Sequence, residues 1–101
     1  MAHQNKAKFQ LGKTVITPGA INALSKSNQL PGYFLQKHQS GQWGKLCEAD
    51  TELNNEAIAH EGNIDKQMRV MSVYKTAKNE TIWIITEWDR SVTTILLPSE
   101  Y

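Results

Sequence analysis

The chain has 101 residues, 40% of them hydrophobic, which is enough for one compact domain with one core and too few for two. Its charge is divided: six lysines and no acidic residue precede Glu48, whereas all ten carboxylates lie at or beyond Glu48. The single cysteine excludes an intrachain disulfide, and neither the roughly 18 apolar residues of a membrane helix nor the apolar run of a signal peptide is present, so we expect a cytoplasmic protein without membrane contact.

The first residues predict a flexible lead followed by a strand. Residues 1–8 are polar and are expected to be mobile, and residues 9–101 are expected to form the single domain. Within residues 9–16, the β-branched side chains of Val15 and Ile16 favour an extended conformation. The domain is therefore expected to begin with a short strand.

Two short helices are predicted next from their start and stop signals. The hydroxyl of Thr17 can cap a helix, and Pro18 suits its first turn because the N–H that proline lacks would be unpaired there. About ten helical residues should follow. Pro31 opens a second helix, which Ser40 and Gly41 end.

A third helix is predicted for residues 46–60, and Gly62 ends it. Apolar residues recur along one side, and acidic residues in the early turns are favoured by the positive end of the helix dipole. The apolar stripe consists of Leu46, Ala49, Leu53 and Ala57, and the early acids are Glu48, Asp50 and Glu52.

The C-terminal third predicts strands. Residues 69–76, 81–88 and 92–97 are rich in valine, isoleucine, threonine, tyrosine and tryptophan, and short polar segments separate them. They predict a three-stranded antiparallel meander that ends before Pro98. We therefore expect an α+β fold with about three helices packed on one face of a small antiparallel sheet, to which residues 9–16 contribute an additional N-terminal strand.

The most polar segment of this third is the turn before the last strand. Asp89 and Ser91 are explained by the turn itself, because their side chains can hydrogen-bond the local backbone. Trp88 and Arg90 are less typical of a turn, and an indole and a guanidinium are groups that anchor interfaces. The hypothesis drawn from this segment is a protein-binding surface of Trp88, Asp89 and Arg90, with the indole and the guanidinium exposed.

Two further residues are predicted as neighbours of this surface, each with a structural alternative. Trp43 lies between glycines in a loop, where its ring can cover the edge of the core or stand out towards a partner. His38 lies on the apolar side of the second helix, where a buried, hydrogen-bonded histidine is more common than a general base. For both residues the structural alternative carries more weight.

Two other functions stay open. A small enzyme or nucleotide-binding protein would need His38, Asp50, Asp89 and Arg90 to converge on one cleft, although the motifs of serine hydrolases, phosphate-binding loops and zinc enzymes are absent. A DNA-binding protein would use the lysine-bearing N-terminal half. The opposite charges of the two halves also suit a homodimer. No cofactor and no metal are expected, because only one glutamate–histidine pair has ligand spacing.

Several stretches carry a pattern beyond their local chemistry: residues 9–12, 15–20, 34–38, 41–44, 82–87, 89–94 and 97–101. Together they resemble a family of small bacterial proteins found on chromosomes, plasmids and other mobile elements, some of which carry a type I restriction endonuclease subunit label. The family pattern often has an acid at position 42 and a small residue at position 88, where this chain has Gln42 and Trp88. The resemblance implies a bacterial mobile-element setting and supplies no catalytic residues.

These observations combine into one expectation about function. We expect a non-enzymatic protein-binding or regulatory module, with a partner in host defence or DNA metabolism as the mobile-element resemblance implies. Nucleic acid and a second copy of the chain are the alternative partners.

Overall fold

The computed structural model describes residues 6–101, and within that range it has three α-helices, a four-stranded sheet and a short 3-10 helix. The expected flexible lead falls largely on residues 1–5, which lie outside the described residues. The elements in chain order are β1 Lys13–Ile16, α1 Pro18–Ser27, α2 Pro31–Gln39, α3 Glu48–Ala59, β2 Val70–Lys75, β3 Thr81–Thr86, β4 Val92–Leu96 and the 3-10 helix Pro98–Glu100.

The sheet has the strand order β1-β4-β3-β2. Strands β2, β3 and β4 pair antiparallel, which confirms the predicted meander. Strand β1 pairs with β4 in parallel, with Lys13 opposite Val92 and Ile16 opposite Ile95. The sheet is therefore mixed, and the expectation of a purely antiparallel sheet is wrong at β1. The direction of β1 depends on the long path that separates it from β4, which its own residues do not encode.

The helix starts follow the local signals in the sequence. The Thr17 hydroxyl accepts a hydrogen bond from the Ala20 N–H at 3.3 Å, and Pro18 is the first residue of α1. Helix α1 ends at Asn28, whose positive φ of 57° gives the left-handed conformation common at helix C-termini. Helix α2 begins at Pro31 as predicted. These boundaries are local because capping and proline geometry act within one turn.

The helices and one face of the sheet enclose the core. Strand register places Tyr74 opposite Ile82, and Ile84 opposite Ile95, so these side chains lie on the same face. Helix residues pack onto this face, and each fully buried aliphatic or aromatic side chain contributes roughly 1.5–3 kcal/mol. The main cluster consists of Ala20, Ala23, Leu24, Phe34, Tyr74, Ile82, Ile84 and Ile95. A second cluster, around α3, consists of Phe9, Trp43, Ala57 and Val70.

Candidate functional site

The turn at residues 88–91 is only partly the surface that the sequence predicts. Trp88 is 50% exposed and Asp89 is exposed, as expected. Arg90 is only 8% exposed, so the expectation that its guanidinium faces solvent is wrong. The binding roles of Trp88 and Asp89 stay predictions.

Arg90 is buried because its donors are used inside the protein. Its Nε and Nη2 donate to the Glu61 carboxylate, with an Nη2–Oε1 distance of 2.6 Å. Its Nη1 donates to the carbonyl oxygens of Met68 at 2.7 Å and Glu87 at 2.9 Å. The guanidinium also lies 5.5 Å from the centre of the Phe9 ring. Arg90 therefore joins the turn to the segment after α3, and a partner would have to break these bonds to reach it.

Asp89 has the local role that turn chemistry predicts. Its carboxylate accepts hydrogen bonds from the Ser91 N–H at 3.0 Å and the Ser91 hydroxyl at 2.6 Å. These hydrogen bonds lower the pKa of the Asp89 carboxyl, because they favour its ionised form. The carboxylate is exposed and stabilises the turn.

Trp43 and His38 also lie inside rather than on the predicted surface. Trp43 stacks on Phe9 with ring centres 6.5 Å apart, and it packs in the second core cluster. His38 has no exposed surface, and the edge of its ring meets Phe9 at 5.2 Å. For both residues the structural alternative agrees with the burial, and the placement of either beside an exposed docking surface is wrong.

His38 is the centre of a closed chain of polar groups between α2 and the sheet. Its Nδ1 lies 2.6 Å from the Ser72 hydroxyl, and its Nε2 lies 3.0 Å from the Thr86 hydroxyl. The Thr86 hydroxyl is 2.7 Å from that of Thr93, which donates to the carbonyl oxygen of Leu11 at 2.7 Å. Each side chain in this chain is buried, so each needs a partner within it.

The carbonyl at the end of this chain determines where every proton lies. Since Thr93 donates to Leu11, its oxygen accepts from Thr86, and Thr86 in turn accepts from His38. His38 therefore carries its proton on Nε2, and its Nδ1 accepts from the Ser72 hydroxyl. Burial lowers the pKa of His38 to about 3, with a contribution from the Arg90 charge, so the imidazole is neutral.

The four residues of the enzyme hypothesis do not line a common cleft, since neither of the two described pockets contains more than one of them. Among residues 6–101, the hydrogen bonds of His38, Asp89 and Arg90 go to separate partners and join no two of the four. Asp50 lines a separate small pocket of about 140 Å³ beside Asn54 and Arg69. In the same described range, no three histidine, cysteine, aspartate or glutamate side chains cluster as metal ligands do.

A larger groove lies between α2, the Gly44–Lys45 segment and the end of β2. Its volume is about 450 Å³. We call it the basic groove, because three lysines and none of the acidic residues in the described chain line it. The lining residues are Gln29, Tyr33, Phe34, Lys37, Gly44, Lys45, Tyr74, Lys75, Thr76 and Ala77.

The basic groove is lined by aromatic rings as well as by lysines. Tyr33 is 51% exposed, and the Lys37 ammonium lies 4.7 Å from the centre of its ring, which is a cation–π contact between residues one turn apart on α2. Tyr74 is buried, and its hydroxyl donates to the carbonyl oxygen of Gln42. Burial raises the pKa of Tyr74 to about 12, so it stays a neutral donor. The groove is therefore a cationic surface over an aromatic floor.

The sequence contains the groove's components without their grouping. Lys37 and Lys45 belong to the lysine-bearing half, but Lys75 lies in the half that holds every acid. Only the pairing of Val73 with Gly44 brings Lys45 and Lys75 to one place. The i,i+4 spacing of Tyr33 and Lys37 on a predicted helix was the one local signal.

A comparison with protein-family models, curated proteins and solved structures finds no match to this chain. In the described range, no helix has the length and apolar character needed to span a membrane.

Proposed function

We propose that this protein is a non-enzymatic binding module that takes an acidic segment of a partner protein into the basic groove. The observation that carries the proposal is the convergence of Lys37, Lys45 and Lys75 around one groove without an acidic lining residue. Ammonium groups attract carboxylates, and a cleft lined by one sign of charge raises the local concentration of the opposite charge.

The strength of the charged contacts limits the affinity they supply. An exposed ion pair contributes about 0.2–1 kcal/mol, so three lysines contribute roughly 0.6–3 kcal/mol. This is less than the about 8 kcal/mol of a micromolar complex. The lysines therefore accelerate and orient association, and the exposed Tyr33 ring and the groove walls supply the apolar contact that completes it.

The state of His38 supports binding rather than acid–base chemistry. A general base must come within about 3 Å of the proton that it removes. His38 is sealed, neutral and occupied at both nitrogens. Its role in this proposal is to hold α2 against the sheet, which keeps Tyr33 and Lys37 at the groove.

The biological setting is also a proposal. The resemblance to small bacterial proteins of mobile elements supports a cytoplasmic protein whose partner belongs to host defence or DNA metabolism.

A labelled glutamate-rich peptide tests the proposal by fluorescence anisotropy over a salt series. We expect binding that weakens with salt and at least about a tenfold loss of affinity in the Lys37→Ala, Lys45→Ala, Lys75→Ala triple variant. The matched control changes Lys13, Lys26 and Lys66 to alanine, removing the same charge outside the groove. An affinity equal in the two triple variants would overturn the proposal.

A single-stranded oligonucleotide of similar charge is the competing probe. Tighter binding of the oligonucleotide, lost in the groove variant, would replace the protein partner with nucleic acid and bring the DNA-binding alternative forward. We expect the peptide to bind more tightly, since the described groove has one exposed ring rather than a row of stacking platforms.

A second copy of the chain is the second candidate partner, and helix α3 favours it. The helix presents four exposed acids and no basic residue: Glu48, Asp50, Glu52 and Glu56. Sedimentation velocity distinguishes this case. A concentration-dependent dimer that the groove variant abolishes would identify a second copy as the partner, and loss of the dimer on replacing Glu52 and Glu56 of α3 by glutamine would identify α3 as its acidic segment.

A further inference from the structure

The outer edge of β2 is covered at two of its three outward-facing residues, Met71 and Val73. The Asn54 amide accepts from the Met71 N–H at 3.1 Å and donates to its carbonyl oxygen at 2.6 Å. Two residues on, the Val73 N–H donates to Trp43 and its carbonyl accepts from Lys45. Beyond the strand, the Ala77 N–H donates to the Gln29 side chain at 2.8 Å. Covered edges do not pair with other chains.

Lys75 is the outward-facing residue of β2 whose backbone groups have no partner among the described residues. The N–H and C=O groups of every second residue point to the same side of a strand, so those of Lys75 point outward like those of Met71 and Val73. The Gly44–Lys45 segment that pairs with Val73 leaves β2 before it reaches Lys75. Among the described residues, no hydrogen bond to the outward groups of Lys75 is formed, and the basic groove opens there.

We propose that the partner's acidic segment binds in the groove as an extended strand and pairs with the backbone of Lys75. This inference rests on the proposed function and specifies its mode. One residue of the segment donates to the Lys75 carbonyl and accepts from the Lys75 N–H, as the Asn54 amide does at Met71. Main-chain hydrogen bonds of this kind provide affinity without demanding a particular sequence.

The neighbouring groups define the chemistry of the segment. Val73 and Ala77 already have partners, so the added strand is short, with one fully paired residue. Side chains alternate along an extended segment, so acids at every second position face one side together. Lys37 lies on α2, which packs on the Tyr74 face of the sheet, whereas the Lys75 side chain points to the opposite face. Alternating carboxylates therefore meet the lysines of one face, and the matching partner is an extended acidic segment.

Lysines at a sheet edge also have a plain structural use, since their charges keep edges from pairing in aggregates. That use requires no ligand, and it predicts no new hydrogen bond at the Lys75 backbone when an acidic peptide is added. The two explanations therefore differ in what happens to the Lys75 amide when an acidic peptide is added.

The first test uses NMR to measure amide hydrogen exchange in the protein. The exchange rates are compared with and without a short peptide of alternating glutamate and valine. We expect at least about a tenfold slowing of exchange at Lys75 on saturation, with little change at Val73, whose N–H is already bonded. The Lys75→Ala variant keeps the backbone groups and should retain the slowing at a higher peptide concentration. A helix-favouring peptide of equal charge, rich in glutamate and alanine, is the matched control.

The second test methylates the peptide nitrogens one at a time. One methylated position should lose about tenfold in affinity, because a lost hydrogen bond is worth roughly one decade, and its neighbours should change by less than about twofold. If the peptide binds with lysine dependence but neither exchange nor methylation responds, strand addition is overturned while groove binding stands. If no acidic peptide binds, both proposals fail.

Discussion

Two consecutive residues of α2, Lys37 and His38, belong to two polar regions that differ in burial. His38 points into the polar core, which we define as His38, Ser72, Thr86, Thr93 and the Arg90–Glu61 pair. Lys37, the preceding residue, lies at the basic groove beside Tyr33.

The difference between the regions is whether each polar group has a partner within the chain. In the polar core, each hydroxyl, ring nitrogen and guanidinium is bonded, and burial makes an unpaired group cost about 1–3 kcal/mol. In the basic groove, none of the three lysines forms a salt bridge with another described residue, and the Lys75 backbone is open. Closed polar groups hold the fold, and open ones are available to a ligand.

The largest expected effect is that of Arg90→Ala. Its loss leaves the Glu61 carboxylate and the carbonyls of Met68 and Glu87 without their donor, so we expect unfolding free energy to fall by about 3 kcal/mol. Urea unfolding followed by circular dichroism measures this. Arg69→Ala is the control, because the exposed Arg69 makes a single bond to the Tyr101 hydroxyl and should change stability by less than about 1 kcal/mol. Equal losses of unfolding free energy in the two variants would show that the buried hydrogen bonds of Arg90 do not stabilise the fold.

The next effect is that of Thr86→Val, which keeps the shape and removes the oxygen between His38 and Thr93. The His38 Nε2–H then has no acceptor, and we expect a loss of about 2 kcal/mol in the same unfolding experiment. Thr94→Val is the matched control on the neighbouring strand, because Thr94 is only half-buried and its hydroxyl makes no hydrogen bond in the described structure. A neutral Thr86→Val would contradict the proton order assigned to the chain.

Acidification should destabilise the protein through the polar core. His38 has a pKa of about 3 when folded and an ordinary value of 6.5, so only the unfolded chain binds a proton between these values. Stability is therefore complete above about pH 6.5 and falls as the pH decreases, by about 2 kcal/mol from about pH 7 to about pH 5. Asp89 and Glu100, whose pKa values are lowered by hydrogen bonds, add a loss in the same direction at lower pH.

Urea unfolding over a pH series measures this slope, and nitrogen NMR of the His38 ring reports its protonation in the folded state. Titration of the folded ring near its ordinary pKa would contradict the assignment of a neutral, closed histidine.

The smallest stability effect is expected in the groove. Lys37→Ala and Lys75→Ala should each change unfolding free energy by less than about 0.5 kcal/mol, since exposed lysines contribute little to folding. The same urea unfolding experiment measures this change, with Thr86→Val as the contrasting variant. A loss as large as that of Thr86→Val would mean that the groove is a structural region like the polar core.

Local chemistry explains which elements could be predicted. Thr17 and Pro18 start α1, and Pro31 starts α2, because capping and proline constraints act on adjacent residues. The β-branched runs identify β2, β3 and β4 within two residues of their ends. The predicted strand at residues 81–88 is longer than Thr81–Thr86 because Trp88 has strand propensity but lies in the turn.

The candidate site was less predictable than the elements. The sequence predicts an exposed Arg90 because a guanidinium in a turn is typical of interfaces, yet this residue has a positive φ of 61° and a buried side chain. For His38 the structural alternative agrees with its burial, although its hydrogen-bond partners Ser72 and Thr86 lie 34 and 48 residues away in sequence. No local pattern identifies partners at such a distance.

The amino-acid sequence by itself determined the α+β class, the helix starts and the C-terminal meander, because propensity, capping and side-chain alternation are properties of neighbouring residues. Tertiary structure alone decided the parallel pairing of β1, the direction of Arg90, the proton order around His38 and the grouping of Lys37, Lys45 and Lys75. Each of these depends on distances between segments far apart in the chain, and charge and hydrogen bonding act only when packing has set those distances.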